Sequence, residues 1–263
     1  MNFDRRTLIA GAAALLSPSL ALAQTADVVL NAAVKGAQRM PDNKARDPFR
    51  HPAETLAFWG LKPGMTVIEI LPGDSAYWTE ILGPYLKATG GHYIGTGKMP
   101  DRIGAEAVFG KTEWVNTLGR GPLVPAGTAD MVIVARNIHD FMWTPGLTER
   151  LLKDFNDALK PGGVLAVEEH RADPRPQVKE ARDGYVETKV MVEMVTKAGF
   201  RLAGASEINA NPKDTKDHPF GVWTLPPTRR SAQPPAPADP AFNHAKFDAI
   251  GESDRMTLRF VKG

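Results

Sequence analysis

Val67-Ile68-Glu69-Ile70-Leu71-Pro72-Gly73-Asp74-Ser75-Ala76-Tyr77 (VIEILPGDSAY) passes from an apolar β-branched run to a carboxylate, then to a glycine turn, then toward a helix. The run predicts a buried strand over Thr66–Ile70, and the spacing of Tyr77, Ile81, Leu82 and Tyr85 predicts a helix from about Ser75 to Leu86. A strand, a glycine-bearing turn and a helix in that order form the ligand loop of open α/β sheets. Only Gly73 supplies a glycine here, where such loops use two or three.

Upstream, Pro52–Trp59 reads as a short helix with proline in its first turn, and Asp27–Gln38 as another. Downstream, His92–Gly95 reads as the second strand, and the region Lys98–Leu118 as a helix with a short strand near Glu113–Asn116. Ala129–Ala135 is apolar enough to be buried on both faces. Leu147–Leu159 repeats apolar residues at helical spacing and runs through Leu-Lys-Pro-Gly-Gly into a strand at Val164–Val167. Gly184–Ala198 reads as a helix, Phe200–Ile208 as a strand, and Met256–Val261 as a last strand suited to an antiparallel pair with it. Strands alternating with helices predict α/β architecture: a doubly wound, Rossmann-like, mostly parallel sheet with a C-terminal antiparallel strand.

The chain has 263 residues and a net charge of +2, which points to no nucleic-acid partner. It has no cysteine, which excludes disulfides, thiolate metal sites and a thiol nucleophile. Arg5-Arg6-Thr7 precedes an apolar run from Leu8 to Leu22 with small residues at Ala21-Leu22-Ala23. That is the pattern of an export signal over residues 1–23, of the twin-arginine kind. The expected location is periplasmic or secreted, with no stable membrane anchor after cleavage. Residues 24–263 are then expected to form a single domain, carrying a Pro-rich insertion at about 209–248.

In open parallel sheets, ligands bind beyond the carboxyl ends of the strands. The first strand ends at Glu69; the Ala129–Ala135 strand runs into Arg136-Asn137-Ile138-His139-Asp140; the Val164–Val167 strand runs into Glu168-Glu169-His170-Arg171. The expectation is that these groups meet in one crevice. The segment Asn209–Leu225 reads either as a lid anchored by Trp223 or as a solvated loop.

The succession VIEI, glycine turn, DMVIVARNIHD, LKPGGVLAVEEH and AGF resembles class I S-adenosylmethionine-dependent methyltransferases. More narrowly, HPAETLAFWGLKPG, TEILGPYL and GESDRMTLRF are similar to exported bacterial predicted methyltransferases. The resemblance covers about Asp47 to Lys262 and implies S-adenosylmethionine as cofactor and an unknown small-molecule acceptor. By position it implies cofactor-binding roles for Glu69 (methionyl amino group), Gly73, Ser75, Ala76, Arg136 and Asn137, and the Thr96 hydroxyl offers a hydrogen bond to one ribose hydroxyl. The chain departs from the pattern at Leu71 and Ser75, which replace glycines, and at Ile94-Gly95-Thr96-Gly97, which lacks the acid that usually holds the ribose.

Methyl transfer needs positioning and a base for the acceptor's proton. His139 and His170 are the candidate catalytic residues, with Glu169 as a further base candidate. Two other classes stay open: a non-catalytic periplasmic small-ligand-binding protein that reuses the fold, and a metal-dependent enzyme using Glu69, His139, Asp140, Glu169 and His170. No tight His-x-x-x-His spacing supports a metal, and none is assigned.

Overall fold

A computed structural model describes residues 18–263; residues 1–17, most of the expected export signal, lie outside the described residues. The helices are α1 (Pro18–Lys35), α2 (Pro41–Lys44), α3 (Asp47–Arg50), α4 (Pro52–Trp59), α5 (Thr79–Thr89), α6 (Asp101–Ala105), α7 (Ile138–Phe141), α8 (Leu147–Ala158), α9 (Thr188–Lys197) and α10 (Ala245–Ile250). The strands are β1 (Thr66–Ile70), β2 (His92–Thr96), β3 (Thr112–Val115), β4 (Ala129–Ala135), β5 (Leu159–Ala172), β6 (Val186–Glu187), β7 (Phe200–Ser206), β8 (Pro219–Val222) and β9 (Arg255–Lys262).

The sheet order is β3-β2-β1-β4-β5-β9-β7, with β6 paired to β5. Strands β1 to β5 are mutually parallel; β9 runs antiparallel between β5 and β7. The doubly wound sheet with an antiparallel ending is therefore as the sequence predicts.

Alternation along each central strand sends side chains to two cores. Ile68, Ile70, Val132, Val134, Leu165 and Val167 pack with α8 and α9 residues such as Leu151, Phe155 and Met191. Val67, Met131, Ile133 and Ala166 pack on the other face with Leu56, Trp59, Ile81 and Leu82 of α4 and α5. Burial on both faces is why these strands are continuously apolar.

The predicted helix start at Ser75 is corrected. Residues 71–78 form a turn, and α5 begins at Thr79. Leu71, Gly73 and Ala76 all take positive φ (45°, 67° and 48°), which no helix accommodates. Distant segments hold that turn: Asn43 Nδ2 donates to the Ser75 carbonyl at 2.7 Å, and the Leu71 N–H donates to Thr96 Oγ1 at 2.8 Å. The helix expected from Gly184 starts instead at Thr188, after Gly184 at φ 82° and the short β6. The region 209–248 contains β8 and the start of α10.

Candidate functional site

The parallel strands deliver their carboxyl ends to one edge, and the order change beside β1 and β4 opens a crevice there. Because β9 is antiparallel, the residues that lead into it arrive at this same edge. His170 pairs with Arg255, so Glu252 and Ser253 lie alongside the end of β5. The turn after β8 closes the remaining side. The result is a cavity of about 210 Å³ whose walls include Arg136, Asn137, His139, His170, Trp223 and Ser253.

His139 sits in the first turn of α7, 3% exposed, with its position set by Glu169. Glu169 Oε2 accepts the backbone N–H groups of Ile138 (2.8 Å) and His139 (3.2 Å). Its Oε1 accepts the His170 N–H (2.9 Å) and faces His139 Nδ1 at 2.8 Å. With Oε1 as acceptor, Nδ1 carries the proton, and Nε2, the atom that gains or loses the second proton, lies at the cavity beside Asp140. Burial alone would lower the His139 pKa, but the charge and hydrogen bond of Glu169, helped by Asp140, outweigh it, and the net direction is upward. Asp140 Oδ1 lies 3.3 Å from Nε2.

His170 faces His139 with ring centroids 5.2 Å apart, and its Nδ1 is 2.5 Å from Ser253 Oγ. Enclosure by protein, reinforced by His139 and the arginines at 136 and 255, holds its pKa well below the ordinary histidine value. Two histidines in one cavity are thus driven in opposite directions, so His170 stays neutral where His139 still holds its proton. Trp223 closes over His139 at 5.8 Å and also touches Trp143 at 5.8 Å.

Arg136 occupies φ +62°, fixed by its N–H donating to the Glu168 carbonyl at 2.7 Å. Asn137, in the amide orientation that satisfies its neighbours, donates to the carbonyls of Ile70 and Ala135, both at 3.1 Å. It thereby ties the ends of β1 and β4 together at the switch point.

Glu69 lies beside the cavity rather than on its lining. Alternation turns it toward the α5 face, where Oε2 accepts from Thr79 Oγ1 (2.9 Å) and Tyr93 OH (2.7 Å). Desolvation by burial raises its pKa to about 7 despite those two hydrogen bonds. Ser75 and Ala76 lie in the turn ahead of α5 rather than at its N-terminus, and the Ala76 N–H is already donated to the Gly73 carbonyl at 3.1 Å. Gly73 is open, with nothing near the place a side chain would occupy. Thr96 is buried and accepts from Leu71. The structure therefore brings Arg136, Asn137, His139 and His170 together, and sets Glu69, Gly73, Ser75, Ala76 and Thr96 along the adjoining β1–β2 edge.

Glu252 and Ser253 escaped the sequence reading as site residues. The signal for them was topological: an antiparallel last strand must be entered from the ligand edge. Ligand atoms of His139, Glu169 and His170 lie within 4.8 Å of one another. Glu169 already accepts four N–H groups, so a metal there would have to displace them, and the carboxylate instead orients His139.

The residues present fit S-adenosylmethionine best at its amino-acid end. Glu69 Oε1 accepts no hydrogen bond among the described residues and can meet an ammonium, which would draw its pKa back down. At the nucleoside end, Leu71, beside Gly97 at the end of β2, and Met99, beside Gly104 of α6, are apolar side chains left exposed (each 37%), surfaces suited to an adenine face.

No family model matches the chain, and no curated protein matches it. Among solved structures, 1,6-didemethyltoxoflavin-N1-methyltransferase from Burkholderia thailandensis, with bound 1,6-didemethyltoxoflavin and S-adenosylhomocysteine, is 13% identical with a TM-score of 0.53. That likeness covers 95% of this chain and 92% of the other. The [4+2]-cyclase SpnF is 14% identical with a TM-score of 0.56, over 91% of this chain and 94% of its own. A SAM-dependent methyltransferase from Aquifex aeolicus is 18% identical with a TM-score of 0.50, over 63% and 87%. At these identities the likeness is one of fold: the chain has the class I methyltransferase fold.

Proposed function

We propose that this protein is an S-adenosylmethionine-dependent methyltransferase acting on a small acceptor, with His139 as general base. The carrying observation is the Glu169–His139 pair, 2.8 Å apart, opening onto a cavity beside the β1 turn of this fold. A pure binding protein needs no imidazole held in one tautomer by a carboxylate that three backbone N–H groups fix in place, so the pair favours catalysis over the binding-protein reading. When bound, S-adenosylmethionine supplies an electrophilic methyl group on a sulfonium. Glu69 and the turn around Gly73 would hold its amino-acid end, and Leu71, Thr96 and Met99 its nucleoside. Asn137 keeps the crevice open at fixed width. His139 Nε2 takes the proton that the acceptor's hydroxyl or amine loses, and Trp223 excludes water from the cavity. His170, neutral and tethered to Ser253, orients the acceptor by hydrogen bonding.

The reading extends to location. The leader Arg5–Ala23 supports export by the twin-arginine route, cleavage before Gln24, and a periplasmic or secreted protein. Among the described residues no helix is long and apolar enough to cross a membrane.

Calorimetric titration with S-adenosylhomocysteine tests the cofactor, and absence of binding overturns the proposal. With an acceptor in hand, His139→Ala lowers kcat by about 100-fold or more. The rate climbs with pH as His139 loses its proton, with a limb above the ordinary histidine value. Glu169→Gln moves that limb down. A limb that stays in place removes the pair from the mechanism.

A further inference from the structure

Of the charged side chains that line the cavity, Asp140 faces His139 and Glu252 is bound by three arginines. Arg136 is different. Its guanidinium makes no hydrogen bond among the described residues, and Nε is buried without a partner. The nearest carboxylate oxygen, Glu168 Oε2, is 4.0 Å away, while Glu168 Oε1 is taken by Arg255 at 2.7 Å. Of the Arg136 nitrogens only Nε is sealed off; the side chain is 22% exposed and lines the cavity.

The backbone is arranged for this placement. A β strand continued normally past Ala135 would turn residue 136 to one of the two cores. The left-handed conformation at φ +62°, which costs about 1–2 kcal/mol in a residue with a Cβ, points Arg136 at the cavity instead. A strained residue whose planar cation makes no hydrogen bond among the described residues, with only Glu168 Oε2 at 4.0 Å, in a cavity also lined by Val222, Trp223 and Pro226, is a built receptor for an anion that has an apolar body. The cavity, at about 210 Å³, is below the range for drug-sized ligands of roughly 300–1,000 Å³ and limits the ligand to a small molecule.

We infer that the acceptor is a small carboxylic acid whose carboxylate is held by Arg136, with its apolar body under Trp223 and its nucleophilic atom at His139 Nε2. The inference rests on the methyltransferase reading for the word acceptor; the carboxylate site itself does not depend on it. The amino-acid tail of the cofactor also carries a carboxylate, so the test must separate the two sources.

Full-length protein is titrated with acetate, benzoate and phenylacetate, with the neutral amide of each, and separately with S-adenosylhomocysteine. At least one carboxylate binds about tenfold or more tightly than its amide, as expected for a charge-assisted pair. Arg136→Gln abolishes that preference, Arg136→Lys keeps part of it, and both leave S-adenosylhomocysteine binding within about twofold. No carboxylate preference in any pair overturns the inference without needing a variant. So does an Arg136→Gln protein that loses S-adenosylhomocysteine but keeps the preference, since the cation then serves the cofactor. A preserved carboxylate preference in protein that never binds S-adenosylhomocysteine leaves the anion site standing and removes only the methyltransferase reading.

Discussion

Glu69 is 2% exposed, held by Tyr93 and Thr79, and its carboxyl titrates near 7 rather than 4.5 because burial disfavours the charge. The folded protein therefore holds this proton more tightly than the unfolded chain. Its contribution to stability is complete below pH 4.5 and is lost as pH rises through about 7. The difference amounts to roughly 3 kcal/mol. Glu69→Gln keeps both hydrogen-bond donors supplied and removes the titration, so the variant's unfolding free energy falls less than wild type's between pH 4.5 and 7. Urea titrations at several pH values check this; parallel curves for the two proteins would count against it. An ammonium ligand at Oε1 reverses the trend, so stabilisation by such a ligand grows with pH over the same window. The sequence placed this carboxylate at a strand end, and that position is right. Its side-chain direction depends on alternation within β1 and on Tyr93, 24 residues away, a contact that spacing within one strand cannot reveal. His139 was legible as a candidate by residue type. Its fixed tautomer was not, because the orienting Glu169 comes from the neighbouring strand end.

Between β7 and β9 the segment 209–225 forms a wall, and one buried carboxylate holds it. Asp214 accepts from Tyr185 OH (3.1 and 3.0 Å), His218 Nε2 (2.8 Å) and the backbone N–H groups of Lys216 (3.0 Å) and Asp254 (2.8 Å). Thr224 and Leu225 are essentially fully buried just beyond Trp223. Of the two readings of this segment, the geometry is that of a fixed cover with Trp223 seated on His139. Asp214→Ala leaves several buried donors unpaired, at about 1–3 kcal/mol for each group. A loss of 3 kcal/mol or more is expected in urea unfolding, together with changed tryptophan emission as Trp223 is released. Wild-type stability with unaltered emission would mean that the cover does not depend on this carboxylate. The core strands were legible because burial on both faces leaves an unbroken apolar run. The cover was not, since its residues are polar and prolines interrupt it; its order comes from tertiary hydrogen bonds that carry no period.

Across the whole molecule, the two ends of the described chain are joined by buried charge. Glu252, 5% exposed, receives Arg46 Nε (2.5 Å), Arg50 Nε (3.0 Å) and Arg255 Nη2 (3.0 Å). Arg255 continues to Glu168, and Arg50 stacks on the Tyr77 ring at 4.4 Å from its centroid. Tyr77 OH in turn donates to Asp47 at 2.7 Å, and Asp47 pairs with Arg39 at 2.6 Å. This chain of contacts pins residues 39–50 across the β1 turn and seats the β9 lead-in at the cavity. Replacing Glu252 by Gln leaves three arginines around an uncharged amide, two of them fully buried. Breaking a buried pair from one side costs roughly 3–5 kcal/mol, whereas an exposed pair is worth at most about 1. Glu207→Gln is the matched control, because Glu207 pairs with Arg171 while 72% exposed. Glu252→Gln is expected to lower the urea midpoint by several times the effect of the control and to speed tryptic cleavage at Arg46 and Arg50, while Glu207→Gln changes neither. Equal midpoints for the two variants would show that the ends are held by packing alone; a lowered midpoint with accelerated cleavage places the cavity's integrity in a carboxylate that lies more than 200 residues along the chain from two of the arginines it binds.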